Sequence, residues 1–306
     1  MPWFTRFLIN LAVLLLFIKF LPDMMSGVKH TYEHFAHTKT KVGVVSIKHI
    51  ITDANPYIHT LKEFFKDNSI KAIVLQFDCP GGCSGSSQAL ALELQQLKKD
   101  YPKPVVAYVE NMCASGAYHV AAAADSIVSV PSAVVGSIGV YIAQPYFKAF
   151  IEHYKLQLNF VKTGKYKTTG NPFVEPTPEK TALLQSMTDD TYAQFVADVS
   201  AMRPKLAIAK SADWADGKVF TAKQAKELGL VDVLGSQSAL VKELKDKTHF
   251  DNEIDWVHGP KHTLITELFG SSDDDLMSHV GSIKQLEQVF AQGYEQLMRQ
   301  SLSLQA

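Results

Sequence analysis

Residues 71–110 read KAIVLQFDCPGGCSGSSQALALELQQLKKDYPKPVVAYVE. KAIVLQFD (71–78) is an apolar run of the kind a buried strand carries. SSQALALELQQLKKD (86–100) has the spacing of an amphipathic helix, and PVVAYVE (104–110) returns to strand. Strand, helix and strand in that order argue for a parallel βαβ unit. The pattern continues on both sides. VGVVSI (42–47) is a β-branched strand and TLKEFFKDN (60–68) has helical periodicity. The Ala-rich run 114–125 has high helix propensity, and SIVSV (126–130) is again strand. LNFV, before the lysine-rich stretch 162–173, reads as a further strand. Residues 175–203 predict a long helix, opened by Pro176 and Pro178 and closed at Pro204. TAKQAKELGLVD (221–232) predicts a short helix capped by Thr221 and stopped by Gly229. The fold class is therefore α/β. In the tail, ITELFG (265–270) and the stretch 283–302 are amphipathic, with SSDDDL a solvated turn between them.

The 306 residues carry a net charge of −1, so no basic field points to nucleic acid. An apolar fraction of 46% supports a real core. Three cysteines, Cys79, Cys83 and Cys113, are too few for a disulfide scaffold and lack zinc-ligand spacing. Cys79 and Cys83 either bridge in an oxidising compartment or serve as small buried residues. No cofactor or metal is expected; His30, His34 and His37 share a helical spacing without a supporting carboxylate pattern.

The N-terminus differs from the rest. FLINLAVLLLFIKFL (7–21) is apolar except for Asn10 and Lys19, and Arg6 precedes it. Its uninterrupted part is short for a span, although Lys19 can snorkel to the interface. No clear cleavage site follows. An uncleaved single-pass anchor is the expectation, with a cleaved signal peptide or a buried helix as alternatives. An anchor with its N-terminus inside leaves the remainder on the extracytoplasmic side of the inner (plasma) membrane. The expected organisation is an anchor over 1–24, a polar connector over 25–41, an α/β domain over 42–250 and a helical extension over 251–306.

Two glycine-rich turns follow predicted strands. In Asp78-Cys79-Pro80-Gly81-Gly82, paired glycines leave backbone N–H groups unobstructed, as an oxyanion site requires. A plain strand-to-helix turn explains the same residues. In Cys113-Ala114-Ser115-Gly116-Ala117, a nucleophile would sit among small neighbours at the start of a helix. Ser115 equally fits an N-cap. His119, one turn later, is a candidate base with poor geometry for it. Lys162, Lys165 and Lys167, beside Gly164 and Gly170, are candidate bases that also read as loop lysines.

Together these segments resemble the serine peptidases that include signal peptide peptidase A and its SohB-type relatives. DCPGG stands where that family has Ser-Pro-Gly-Gly, and CASGAYHVAAAAD where it has Ala-Ser-Gly-Gly-Tyr-Tyr. PSAVVGSIGV (131–140), TGKYKTTGNPF and DGKVFTAKQAKELGLVDVLG (216–235) match its later motifs, in order. The resemblance implies a ClpP/crotonase-like fold of repeated β-β-α units and a Ser–Lys dyad. Ser115 falls on the nucleophile, Lys167 on the general base and Ser137 on a serine that positions the lysine. Gly81, Gly82 and Gly116 fall on the oxyanion region. It further implies hydrophobic peptide substrates, such as spent signal peptides, and a homo-oligomeric ring in which neighbours complete the groove. Cys79, Ala117 and His119 depart from the family pattern, and the last two put pocket shape in question. A crotonase-fold acyl-CoA enzyme and an inactive membrane scaffold are the competing classes.

Overall fold

The computed structural model describes residues 39–206 and 210–260, together with Lys19. Among them no helix is long and apolar enough to cross a membrane. The rest of the expected anchor, the three connector histidines and the amphipathic stretches of the tail lie outside the described residues.

The strands are β1 (Thr40–Ile51), β2 (Ile70–Gly82), β3 (Val105–Ala114), β4 (Ser126–Ser129), β5 (Val134–Gly136), β6 (Val219–Thr221), β7 (Val233–Leu234) and β8 (Ile254–His258). The helices are α1 (Asn55–Lys66), α2 (Ser84–Asp100), α3 (Gly116–Ala122), α4 (Lys148–His153), α5 (Pro178–Met202), α6 (Ser211–Trp214), α7 (Ala222–Leu228) and α8 (Gln237–Thr248). The strands form one sheet in the order β6-β5-β3-β2-β1-β8, with β4 beside β3 and β7 beside β4. Every pair is parallel except β5–β6.

Both faces of this sheet are covered, which is why its strands read as apolar runs. Val44, Val74 and Val106 stand in register on one face and pack with Leu240 and Leu244 of α8. Val45, Leu75, Ala107 and Ile127 stand in register on the other, in one cluster with Leu61 and Phe65 of α1 and Leu90 and Leu94 of α2. Every residue of α3 is buried. Alanines at 117, 121 and 122 let this helix lie close to its neighbours, and the Tyr118 hydroxyl donates to the Leu230 carbonyl at 2.8 Å. The predicted signals of α7 are present: Thr221 and Gln224 form a capping box, and Gly229 ends the helix in the left-handed conformation.

The structure departs from the sequence reading at four places. DCPGG is not a turn. β2 continues through it to Gly82, pairing Ile50 with Gly81 and Ile51 with Gly82 after a register shift in β1. β3 likewise runs on to Ala114. Its first half pairs with β4 and its second half, from Met112, with β5. LNFV forms no strand; Leu158 to Val161 are exposed and irregular because no sheet edge lies beside them. Conversely, IDWVH (254–258) adds to the free edge of β1.

Arg203, buried after α5, ties three segments together. Its guanidinium donates to Asp232 Oδ1 at 2.7 Å and to the Gly229 carbonyl at 3.2 Å. Asp232 Oδ2 in turn accepts from the Ile127 amide of β4 at 2.8 Å. Removing one partner of a buried pair leaves the other charge without compensation. Asp232→Ala is expected to lower unfolding stability by about 3–5 kcal/mol, and Arg203→Met by less, because Asp232 is the more exposed partner and keeps the Ile127 amide. Urea unfolding of the two variants measures both.

Candidate active site

β3 ends at Ala114 and α3 begins at Gly116, with Ser115 alone between them. Its backbone sits at φ 53° and ψ −127°. Such a conformation costs a non-glycine residue about 1–3 kcal/mol and persists only where its surroundings impose it. Two hydrogen bonds do so. The Ser115 amide donates to the Gly136 carbonyl at 2.7 Å, and the Ser115 carbonyl accepts from the His119 amide at 3.1 Å. The Ser115 hydroxyl makes no capping bond to the helix. The N-cap alternative thus has no side-chain support, and the hydroxyl is left for other work.

The end of β2 passes directly against this serine. A Cβ on Gly81 would fall 2.8 Å from Ser115 Cβ and 2.9 Å from the Gly116 nitrogen. Gly81 also has φ 111°, so glycine is required on both counts. A Cβ on Gly116 would fall 2.1 Å from Ser87 Oγ and 3.3 Å from the Gly82 nitrogen. The amides of Gly82 and Gly116 therefore come together beside Ser115, one from the end of β2 and the other from the start of α3. Ser137 follows Gly136 with φ 53°, and its amide donates to the Lys218 carbonyl at 2.6 Å. Ser115, Ser137, Gly81 and Gly82 line one open cleft of about 880 Å³, walled by Ile50, Tyr141 and Tyr192 among others.

Five of the six expected site residues are thus brought together. Lys167 is not with them. It lies in the segment between α4 and α5, does not line the cleft, and is exposed with no hydrogen bond or ion pair to the described residues. Tyr166 and Phe173, its apolar neighbours in that segment, are themselves exposed. Lys165 pairs with Glu179, whose hydrogen bond holds the lysine pKa above its ordinary value. That suits a cation and not a base.

Cys113 is buried and faces Cys79 across β2 and β3. Burial, seconded by Cys79, pushes its thiol well up, away from the reactive thiolate. Cys79 and Cys83 stand unbridged. Cys79 Sγ donates to the His49 carbonyl at 2.7 Å and accepts from the Gly81 amide at 3.4 Å, bracing the glycine end of β2. Cys83 is exposed, where a small buried residue was expected.

His119 faces α5. Its Nε2 lies 3.0 Å from Asp198 Oδ2, its ring stacks on Phe195 at 4.5 Å, and Gln88 Nε2 donates to the same carboxylate oxygen at 3.0 Å. Nothing in the sequence joins these residues, since Asp198 lies 79 positions from His119. Burial pulls the His119 pKa below its ordinary value, with Asp198 opposing.

Fold and site define an α/β protein that holds a strained serine where three strand ends meet. Comparison with known proteins places it more closely. The sequence model of peptidase family S49 matches residues 97–251. The chain is 38% identical over 200 residues to a protein of Methanocaldococcus jannaschii named as a protease, covering 65% of this chain and 63% of that one. It is 33% identical over 208 residues to a protein of Synechocystis also named as a protease, covering 67% and 74%. It is 30% identical over 199 residues to an Enterococcus faecium protein named as a signal peptide peptidase, covering 65% and 57%. The chain belongs to peptidase family S49. Its match spans under two thirds of the archaeal and the enterococcal relative.

The His119 shift has a direct consequence for stability. Unfolded, the imidazole takes up its proton near its ordinary pKa of about 6.5; folded, it does so only at lower pH. Between these values the unfolded chain binds more protons, so acidification destabilises the native state, and neutrality restores it. The urea midpoint of the wild type is expected to fall more steeply from pH 7 to pH 5 than that of His119→Gln. Equal slopes would refute the assignment.

Proposed function

We propose that this chain is a serine endopeptidase of ClpP/crotonase-like fold, with Ser115 as nucleophile and Lys167 as general base. The observation that carries the reading is the strained Ser115 backbone, set against the glycine amides at the wall of an open cleft. In this reading the Ser115 oxygen attacks a peptide carbonyl while a neutral Lys167 takes its proton. The amides of Gly82 and Gly116, with Gly81 giving them room, stabilise the oxyanion. Lys167 then protonates the leaving amine, and water releases the acyl-enzyme by the same route. Ser137, on the cleft wall, holds the lysine.

A lysine serves as base only when desolvation draws its pKa down. Lys167 is exposed in the single chain, so the dyad requires a cover. The stretch 141–167, which ends on Lys167, also exposes Tyr141, Phe150, Tyr154 and Val161, the last at 99%. Exposed apolar surface on this scale favours burial against another chain. A neighbouring copy in a homo-oligomeric ring supplies the cover and brings its own Lys167 to the first copy's Ser115. The substrates in this proposal are hydrophobic peptides such as spent signal peptides, in line with the name of the enterococcal relative. The segment 7–21 anchors the chain to the inner membrane, with the site on the extracytoplasmic side.

The experiment is cleavage of apolar peptides by the full chain. Ser115→Ala and Lys167→Ala are each expected to lose about 10³-fold or more in kcat/KM. Mixing the two inactive variants and allowing subunits to exchange then separates the arrangements. A dyad shared between copies regains up to roughly a quarter of wild-type activity, and a dyad within one chain regains none. Wild-type rates in Lys167→Ala would remove the lysine from the mechanism.

A further inference from the structure

Behind Ser115 a small pocket of about 30 Å³ leads off the cleft. Gly82, Ser84, Ser115, Gly139 and Val140 line both spaces, so a chain lying in the cleft at Ser115 reaches the pocket directly. Its lining joins apolar groups, Val140 and the Phe195 ring, to the polar Ser87, Gln88 and His119. Ser87 is fully buried, and its hydroxyl has no hydrogen-bond partner among the described residues. His119 stands beside it, held by Asp198, which Gln88 holds in turn. An unpartnered buried hydroxyl costs stability unless something bonds to it.

Size and chemistry point the same way. An engineered cavity that admits benzene is about 150 Å³, roughly five times larger, and one water needs about 10–15 Å³. This pocket has room for a side chain of one or two heavy atoms. A branched aliphatic or aromatic side chain would have to displace the stacked His119–Phe195 pair, which is anchored through Asp198 to two helices.

We propose that this pocket receives the side chain on the acyl side of the scissile bond and selects a small one that bears a hydroxyl. Serine is accepted ahead of alanine, and both far ahead of leucine or phenylalanine. Ser87 is the group that tells serine from alanine; His119, fixed by Asp198, sets the depth. The selection rests on the peptidase reading above. It concerns one side chain only and leaves the apolar remainder of the substrate to the open cleft.

The test uses the full chain and four apolar peptides that differ only at the residue before the cleaved bond: serine, alanine, leucine and phenylalanine. The expected order in kcat/KM is serine over alanine by about fivefold, the worth of one neutral hydrogen bond. Leucine and phenylalanine are expected to fall below alanine by about 10–100-fold. In Ser87→Ala the serine-to-alanine ratio falls to about one. In His119→Ala the leucine-to-alanine ratio rises by about tenfold or more. Should His119→Ala fail to fold, the wild-type order and the Ser87→Ala ratio still decide. Ser115-dependent cleavage with leucine or phenylalanine preferred overturns the pocket assignment and leaves the peptidase standing. A serine-to-alanine ratio unchanged by Ser87→Ala overturns the role of Ser87. No cleavage of any peptide, or cleavage that survives Ser115→Ala, overturns the peptidase and the pocket together.

Discussion

A side chain at residue 81 would have nowhere to go. The end of β2 lies so close to Ser115 that a Cβ there would overlap the serine's own Cβ. The rest of the site depends on this approach. It brings the Gly82 amide beside that of Gly116, and it requires β3 to stay beside β2, across a register shift after Val109, as far as Cys113. Meanwhile β5 takes the Ser115 amide from the opposite side through the Gly136 carbonyl. Ser115 is thus confined between two strands, and its unfavourable backbone angles are the geometry that remains. Strain of this kind is supported by everything packed around it.

That support reaches well beyond the site. α3 carries Ser115 at its start and is buried along its whole length, so it can shift only if its neighbours shift. Tyr118 fastens it to Leu230, and Asp232, two residues on, is locked to Arg203 and to β4. A stretch that reads in sequence as the end of a short helix is therefore the fixture that holds the nucleophile's helix in place. Cys79 plays a similar part below the glycines, where its thiol accepts from the Gly81 amide. A larger side chain there would press on the same strand end.

The sheet and its helices were legible because their signals are local. Buried parallel strands leave apolar runs, and caps such as Thr221 and Gly229 mark helix ends wherever they occur. The site was legible only in part. Ser115 and the glycines stand out by residue type, yet DCPGG reads as a turn although it is extended, because glycine and proline signal turns regardless of a partner strand. β8 escaped because IDWVH acquires meaning only beside the edge of β1. LNFV misled for the converse reason: a strand-like composition forms no strand without an edge to join. Ser87, Asp198 and Phe195 carried no signal at all. Their importance lies in distances across the fold, which sequence spacing does not encode.

The pairing of β1 with β8 has a consequence for how the molecule is made. Thr40 meets Ile254, and Val44 meets His258, across more than two hundred residues of intervening chain. During synthesis on the ribosome, β1 emerges first and its outer edge stays open until the last strand of the sheet has followed. An apolar strand with an open edge is a template for pairing with other chains. The nascent protein therefore keeps this edge bare while more than two hundred residues are made, and closes it only when β8 has emerged.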